Sequence, residues 1–332
     1  MMMKRKLGKS GIDVAPIGLG CWAIGGPFTL RGNAAGWGDV DDAQSARAIE
    51  VGLEHGVTLF DTADVYGIGH SERILGRTLG RRRADVVIAT KFGNTYDEAA
   101  KDIVGSNIAP DYVRQALGAS LERLGTDYID LYQLHLGDVD AGPMARIAET
   151  LEALAEEGKI RAWGWSTDEA ARVAALGDYP HFVAVQQEFN LFHGSAALLA
   201  LAESRGLASL NRSPLGMGLL TGKFHAGSRL PPDDVRAAGH GWLRDFHDGV
   251  PDAAALARLA ALRDLLTSGG RTLAQGALGW LLARSAVTLP IPGFKSEGQA
   301  AENAGALEKG PLPKAVMTEI DAVLATRQPA EA

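Results

Sequence analysis

The sequence predicts an α/β protein folded as a (β/α)8 TIM barrel, and three observations carry that prediction. Short runs rich in β-branched and aromatic residues alternate with Ala- and Leu-rich amphipathic segments, the pattern of a parallel sheet covered by helices. Eight such units can be counted along the chain. Three consecutive runs, VTLFD (57–61), DVVIATK (85–91) and YIDLYQLH (128–135), deliver polar residues where the strands end, and the C-terminal strand ends of a barrel form its reactive face.

Taken in order, the elements begin with a hairpin, KRKLG against DVAP across SGI, expected to plug the N-terminal end of the barrel. PIGLG (16–20) is the first strand; a long connection from Trp22 to Asp41 leads to a helix over 42–56, capped by Asp41 or Asp42. The strand at 57–61 precedes a helix at 71–79 that opens on Ser71-Glu72, and the strand at 85–91 precedes one at 110–124 that opens on Pro110-Asp111. The strand at 128–135 feeds a helix at 144–157, and IRAWGWS (160–166) feeds one at 168–176 through Thr167-Asp168-Glu169. FVAVQQ (182–187) precedes a helix at 195–205, and LASLNR (207–212) runs into a second long connection, Ser213 to Pro251. A helix at 271–283 and the strand VTLPIPG (287–293) complete the repeat, with helices at 253–268 and 313–327 extra to it. No low-complexity tract or linker divides residues 1–332, so a single domain is expected.

Composition narrows the function classes. Of 332 residues 46% are hydrophobic and 22% charged, with a net charge of −7, which describes a globular protein with a mildly acidic surface and speaks against nucleic acid as a partner. Cys21 is the only cysteine, so neither an intrachain disulfide nor a cysteine-based metal site is available. The histidines show no metal-binding spacing, and a metal-free mechanism is expected. The basic start lacks the apolar stretch of a signal peptide, and no segment approaches the length of a membrane span. These features together predict a cytoplasmic protein with no membrane partner.

The strand ends carry the chemistry. Asp61 and Tyr66 follow the second strand, Lys91 ends the third and His135 ends the fourth. Singly, Asp61 suits a turn or a cap, Tyr66 a half-buried packing role, Lys91 a solvated strand end and His135 a satisfied rim position. Jointly, a phenol, an ammonium, a carboxylate and an imidazole on one rim make a proton-delivery site.

In residue type and order the four resemble the catalytic tetrad of the aldo-keto reductases, and the resemblance runs from PIGLGCW through AENAGAL. It implies reduction of a carbonyl by hydride transfer, with Tyr66 as general acid, Lys91 lowering the phenol's pKa, Asp61 holding Lys91, and His135 orienting the carbonyl. A free phenol has a pKa near ~10, and an ammonium about 4 Å away favours the phenolate by a few pKa units at most before desolvation is subtracted.

The resemblance also implies a nicotinamide cofactor lying across the barrel mouth against Trp22 and Asp61. Ser166, Thr167 and Gln186 are implied to hold its amide. Many members have Asn where Thr167 stands and an aromatic ring where Arg212 stands; a guanidinium plane can stack on a ring as well. Ser213, Pro214, Leu215, Gly216, Gly218 and Lys223 resemble a pyrophosphate loop. Gly293, Phe294, Lys295, Ser296, Gln299, Glu302 and Asn303 resemble the segment gripping the adenosine phosphate. Lys295 favours NADP(H), Gln299 replaces the Arg of many NADPH-preferring members, and NAD(H) remains possible.

Trp22, Trp37, Tyr66, Phe92 and His135, with the connection carrying Trp242 and Phe246, are expected to line a pocket for a small-molecule carbonyl or alcohol. Three rival readings remain: an NAD(P)-dependent dehydrogenase of a sugar or secondary alcohol; a nicotinamide-binding regulatory subunit; and an isomerase or lyase barrel that binds no nicotinamide. The sequence leaves the oligomeric state open.

Overall fold

In the computed structural model, which describes residues 3–325, eight parallel strands form one sheet in chain order. They are β1 (Leu19–Gly20), β2 (Leu59–Asp61), β3 (Val87–Phe92), β4 (Ile129–Leu134), β5 (Ile160–Ser166), β6 (Phe182–Glu188), β7 (Ala208–Arg212) and β8 (Thr288–Pro290). A parallel bridge between Gly20 and Gly293 and the bond from Gly20 N to Pro292 O at 2.9 Å close the ring. A Cβ on Gly20 would lie 2.7 Å from Ile291 O, so this seam needs glycine.

Alternation along the strands divides the apolar residues into two layers. Leu59, Val87, Ala89, Leu131, Ala162, Ala184, Leu210 and Leu289 fill the barrel and meet Leu7, Ile12 and Val14 of the opening hairpin, whose pairs are Arg5 with Val14 and Lys6 with Asp13. The hairpin is thus the expected plug. Phe60, Ile88, Tyr132, Trp163, Val185 and their neighbours point outward into a second layer under the helices.

The helices are α1 (Asp42–Glu54), α2 (His70–Leu79), α3 (Pro110–Leu124), α4 (Ala141–Glu156), α5 (Ala170–Ala175), α6 (Ala196–Ser204), α7 (Ala253–Leu266), α8 (Leu273–Arg284), α9 (Glu297–Lys309) and α10 (Lys314–Ala325). Asp41 caps α1 by accepting from the amides of Ala43 and Gln44, and Pro110 opens α3. The expected end of the last helix at 327 lies outside the described residues. Ser71 is not a cap: α2 starts at His70, and the buried Ser71 hydroxyl donates to Cys21 O at 2.8 Å and lies 2.8 Å from Thr62 Oγ1. No helix among the described residues is long and apolar enough to cross a membrane.

Short hairpins escaped the sequence, one of them Phe246–His247 with Val250–Pro251 in the second long connection. A hairpin of Asn94–Asp97 and Asp102–Ser106 joins Thr29–Leu30 and Asn33–Ala34 of the first long connection in a four-stranded sheet. Its strands are short and largely polar, and the turn DEAAK carries none of the Gly or Asn signals of a tight hairpin.

Candidate active site

The barrel interior ends in a polar layer. Asp61, Lys91, Gln133 and Gln186 all project inward above the apolar plug, and Gln133 pairs in register with Lys91. Lys91, with no solvent exposure, places its three ammonium hydrogens on Asp61 Oδ1 at 2.6 Å, Thr62 O at 2.8 Å and Tyr66 Oη at 3.2 Å. The other Asp61 oxygen accepts from Gln133 Nε2 at 3.1 Å and Gln186 Nε2 at 2.8 Å. Every strong donor and acceptor of this ion pair is therefore engaged, as a buried pair requires.

An ammonium can only donate, so the Tyr66 oxygen accepts from Lys91 and the phenol's own hydrogen is left for another acceptor. Burial pushes the Tyr66 pKa above the ordinary phenol value, with Lys91 pulling against it. Lys91 pulls the phenol's pKa down, in the expected direction, but the desolvation left out of that expectation outweighs it, and the resting group is a phenol. For Lys91 burial works against the charge, but Asp61 and Tyr66 prevail and its pKa is raised.

His135 completes the rim. Its ring meets Tyr66 edge-on at 5.9 Å, and its Nδ1 is buried without a partner. Burial, then Lys91 and Arg212, hold its pKa well below the ordinary value, so the imidazole is neutral. A bare buried acceptor costs less than a bare buried N–H, which favours the tautomer with the hydrogen on Nε2. That nitrogen is a donor suited to a carbonyl oxygen.

Tyr66 is stacked on Trp22 at 5.9 Å, and Trp22 donates through Nε1 to Ala35 O and packs against Trp37 at 5.3 Å and Trp242 at 6.0 Å. Trp22, Trp37 and Trp242 therefore cluster beside the phenol. Phe92 does not join them. It follows Lys91 on the strand and so points to the opposite side, where it is fully buried and stacks on Tyr132 at 4.6 Å. Phe246 is also buried, under Phe224 and Arg236.

The strands facing the tetrad supply the other wall. Ser166 and Gln186 are neighbours in register, and Thr167 donates to Gly137 O at 2.7 Å. Arg212 ends β7 and donates through Nη2 to Asp168, whose second oxygen accepts from Glu188 N at 2.7 Å. Beyond Arg212 the backbone takes left-handed conformations at Ser213 (φ 49°), Gly216 (54°), Met217 (52°) and Gly218 (94°). The turn is closed by its own bonds, Gly216 N to Ser213 O at 2.9 Å and Gly218 N to Leu215 O at 3.0 Å. Partial burial, with Arg236 and Lys295 nearby, pushes the Lys223 pKa below its ordinary value, so three cations share this end of the site.

The segment after β8 is occupied by its own contacts. Lys295 donates to Trp37 O at 2.9 Å and Asp39 O at 2.8 Å, Gln299 accepts from Lys295 N, and Ser296 caps α9. Asn303 donates to Gly293 O at 3.1 Å, and the Phe294 side chain is in the core, which leaves only its main chain for a ligand.

Gln133 and Arg236 were missed by the sequence reading. Gln133 had a signal, lying two residues before His135 and hence on the same face of its strand. Arg236 had none: it lies in the second long connection, yet its guanidinium sits 4.6 Å from the Trp37 ring and binds Asp234 and Met217 O.

Known proteins share this fold and part of its sequence. A glycerol dehydrogenase, AKR11B4 from Gluconobacter oxydans, superposes with a TM-score of 0.84 at 28% identity over 99% of this chain and 97% of its own. An aldo-keto reductase from Klebsiella pneumoniae in complex with NADPH gives 0.69 at 27% identity over 97% and 95%. The aldo-keto reductase yakc [NADP(+)] of Schizosaccharomyces pombe is 31% identical over 325 residues, covering 94% of this chain and 89% of that protein. With the Aldo/keto reductase family model matching residues 16–325, the chain belongs to that family of oxidoreductases.

Proposed function

We propose that this enzyme reduces an aldehyde or ketone to the alcohol with NADPH as hydride donor and Tyr66 as general acid. The observation that carries the reading is the Lys91 ammonium bridging Asp61 and Tyr66 in a layer closed to water. The cofactor supplies the hydride; the chain supplies the proton and the fields around it. His135 Nε2–H and the Tyr66 hydroxyl converge on the carbonyl oxygen. As carbon gains the hydride, the Tyr66 O–H bond breaks toward that oxygen and Lys91 stabilises the phenolate left behind.

The donor chemistry fits a dinucleotide. Ser166, Thr167 and Gln186 would hold the amide, the turn at 213–218 with Lys223 would meet the pyrophosphate, and Lys295 would take a 2′-phosphate at the start of α9 by turning from the Trp37 and Asp39 carbonyls it now holds. The Klebsiella structure contains NADPH, and the fission-yeast relative carries NADP(+) in its name.

The second reading is oxidation of a small polyol with NADP⁺. It is favoured by the superposition on the glycerol dehydrogenase, and the same Tyr66 acts as base in that direction. Absorbance of NADPH followed with aldehydes, sugars and cyclic ketones, and of NADP⁺ with polyols, tests both in wild type and Tyr66→Phe. Turnover that collapses in the variant supports the acid role. Cofactor binding without turnover on any carbonyl or alcohol supports a regulatory subunit instead.

A further inference from the structure

We propose that Arg212, clamped by Asp168, makes the site hold NADPH more tightly than NADP⁺, by repelling the positive charge of the oxidised ring. The inference rests on the nicotinamide reading above and concerns what this chain adds to it.

The tetrad occupies the ends of β2 to β4, so a hydride donor must reach the carbonyl from the facing wall, the ends of β5 to β7. Arg212 is the last residue of β7 and pairs in register with Glu188 of β6. Asp168 holds the guanidinium with one carboxylate oxygen and Glu188 N with the other, so the side chain is fixed at the mouth while about a third of it stays exposed. Its field reaches the reacting groups as the smallest of several influences: it works against the rise at Tyr66 and with the fall at His135. A nicotinamide held against this wall would change from neutral to cationic as it gave up hydride. The Asp168 carboxylate carries a full opposite charge, so the pair is formally neutral and acts as a dipole, whose cationic end is the partly exposed guanidinium closing β7.

The two redox forms differ by one charge on the ring and share every phosphate, so the ratio of their affinities isolates this interaction. Titration of protein fluorescence with NADPH and with NADP⁺ gives that ratio without turnover. Arg212→Gln is expected to narrow it by about tenfold, chiefly through tighter NADP⁺ binding, while Arg212→Lys keeps it. Rising salt is expected to narrow the wild-type ratio, as a partly exposed charge is screened. An unchanged ratio in Arg212→Gln overturns the proposal and leaves the nicotinamide reading standing. Loss of the ratio in Arg212→Lys as well overturns it too, because the guanidinium plane, and not its charge, would then be responsible. Binding of neither form by wild type overturns both.

Discussion

Lys91 Nζ lies 3.2 Å from Tyr66 Oη, and the lysine is sealed from solvent beneath the phenol. The contact sets which protonation state is reachable. Burial alone raises the Tyr66 pKa and Lys91 opposes that rise, so removing the cation moves the phenol further from ionisation. Lys91→Met is therefore expected to shift the alkaline inflection of alcohol oxidation, which needs the phenolate, to higher pH. A kcat/KM profile against pH measures it; an inflection left in place would mean that Lys91 does not act on the phenol.

The same lysine is half of a buried pair with Asp61, whose carboxylate otherwise accepts from the neutral amides of Gln133 and Gln186. Removing one partner strands a charge, at a cost of about 3–5 kcal/mol for a pair of this kind. Lys91→Met and Asp61→Asn are each expected to destabilise by that order in urea unfolding. The double variant is expected to recover most of the loss, since no unpaired charge remains. Additive losses would show that the pair is not the unit of stability.

His135 gives a pH dependence of stability. Its folded pKa lies well below the ordinary value near 6.5, chiefly because it is buried. Above about pH 6.5 neither the folded nor the unfolded imidazole binds a proton, and the group is neutral to the balance. As pH falls below that value the unfolded chain takes up a proton that the folded site refuses, so stability is lost on acidification down to the folded pKa. The urea midpoint of wild type should therefore fall between pH 7 and 5 more steeply than that of His135→Gln. Parallel curves would argue that His135 titrates normally.

How much of this was legible in the sequence depended on whether a residue's neighbours along the chain or across space decide its place. The strand ends were legible because hydrophobic runs and the polar residues closing them are local signals: IRAWGWS matches β5 residue for residue. Asp61, Tyr66, Lys91 and His135 came together for the same reason. The hairpin at 94–106 was not legible, because its pairing partner Thr29–Leu30 lies more than sixty residues upstream. The direction of the Tyr66 shift also needed space: Lys91 can be named from sequence, whereas the desolvation that outweighs it depends on how tightly the rim closes.

Phe92 shows how one residue of register decides a role. It adjoins Lys91 and was expected at the pocket, but alternation turns it outward onto Tyr132, while Trp22 stacks on Tyr66. The two aromatics should separate in experiment. Phe92→Ala opens a cavity in the layer under the helices and is expected to cost about 3–5 kcal/mol, with KM changed less than twofold in the protein that remains folded. Trp22→Ala removes the ring stacked on the phenol, and because that ring is partly exposed it should raise KM severalfold at a smaller cost in stability. Thermal unfolding and steady-state kinetics on the same preparations distinguish the two. A KM effect in Phe92→Ala as large as in Trp22→Ala would return Phe92 to the pocket, and with it would fall the inference that strand alternation sorts the rim residues of this barrel.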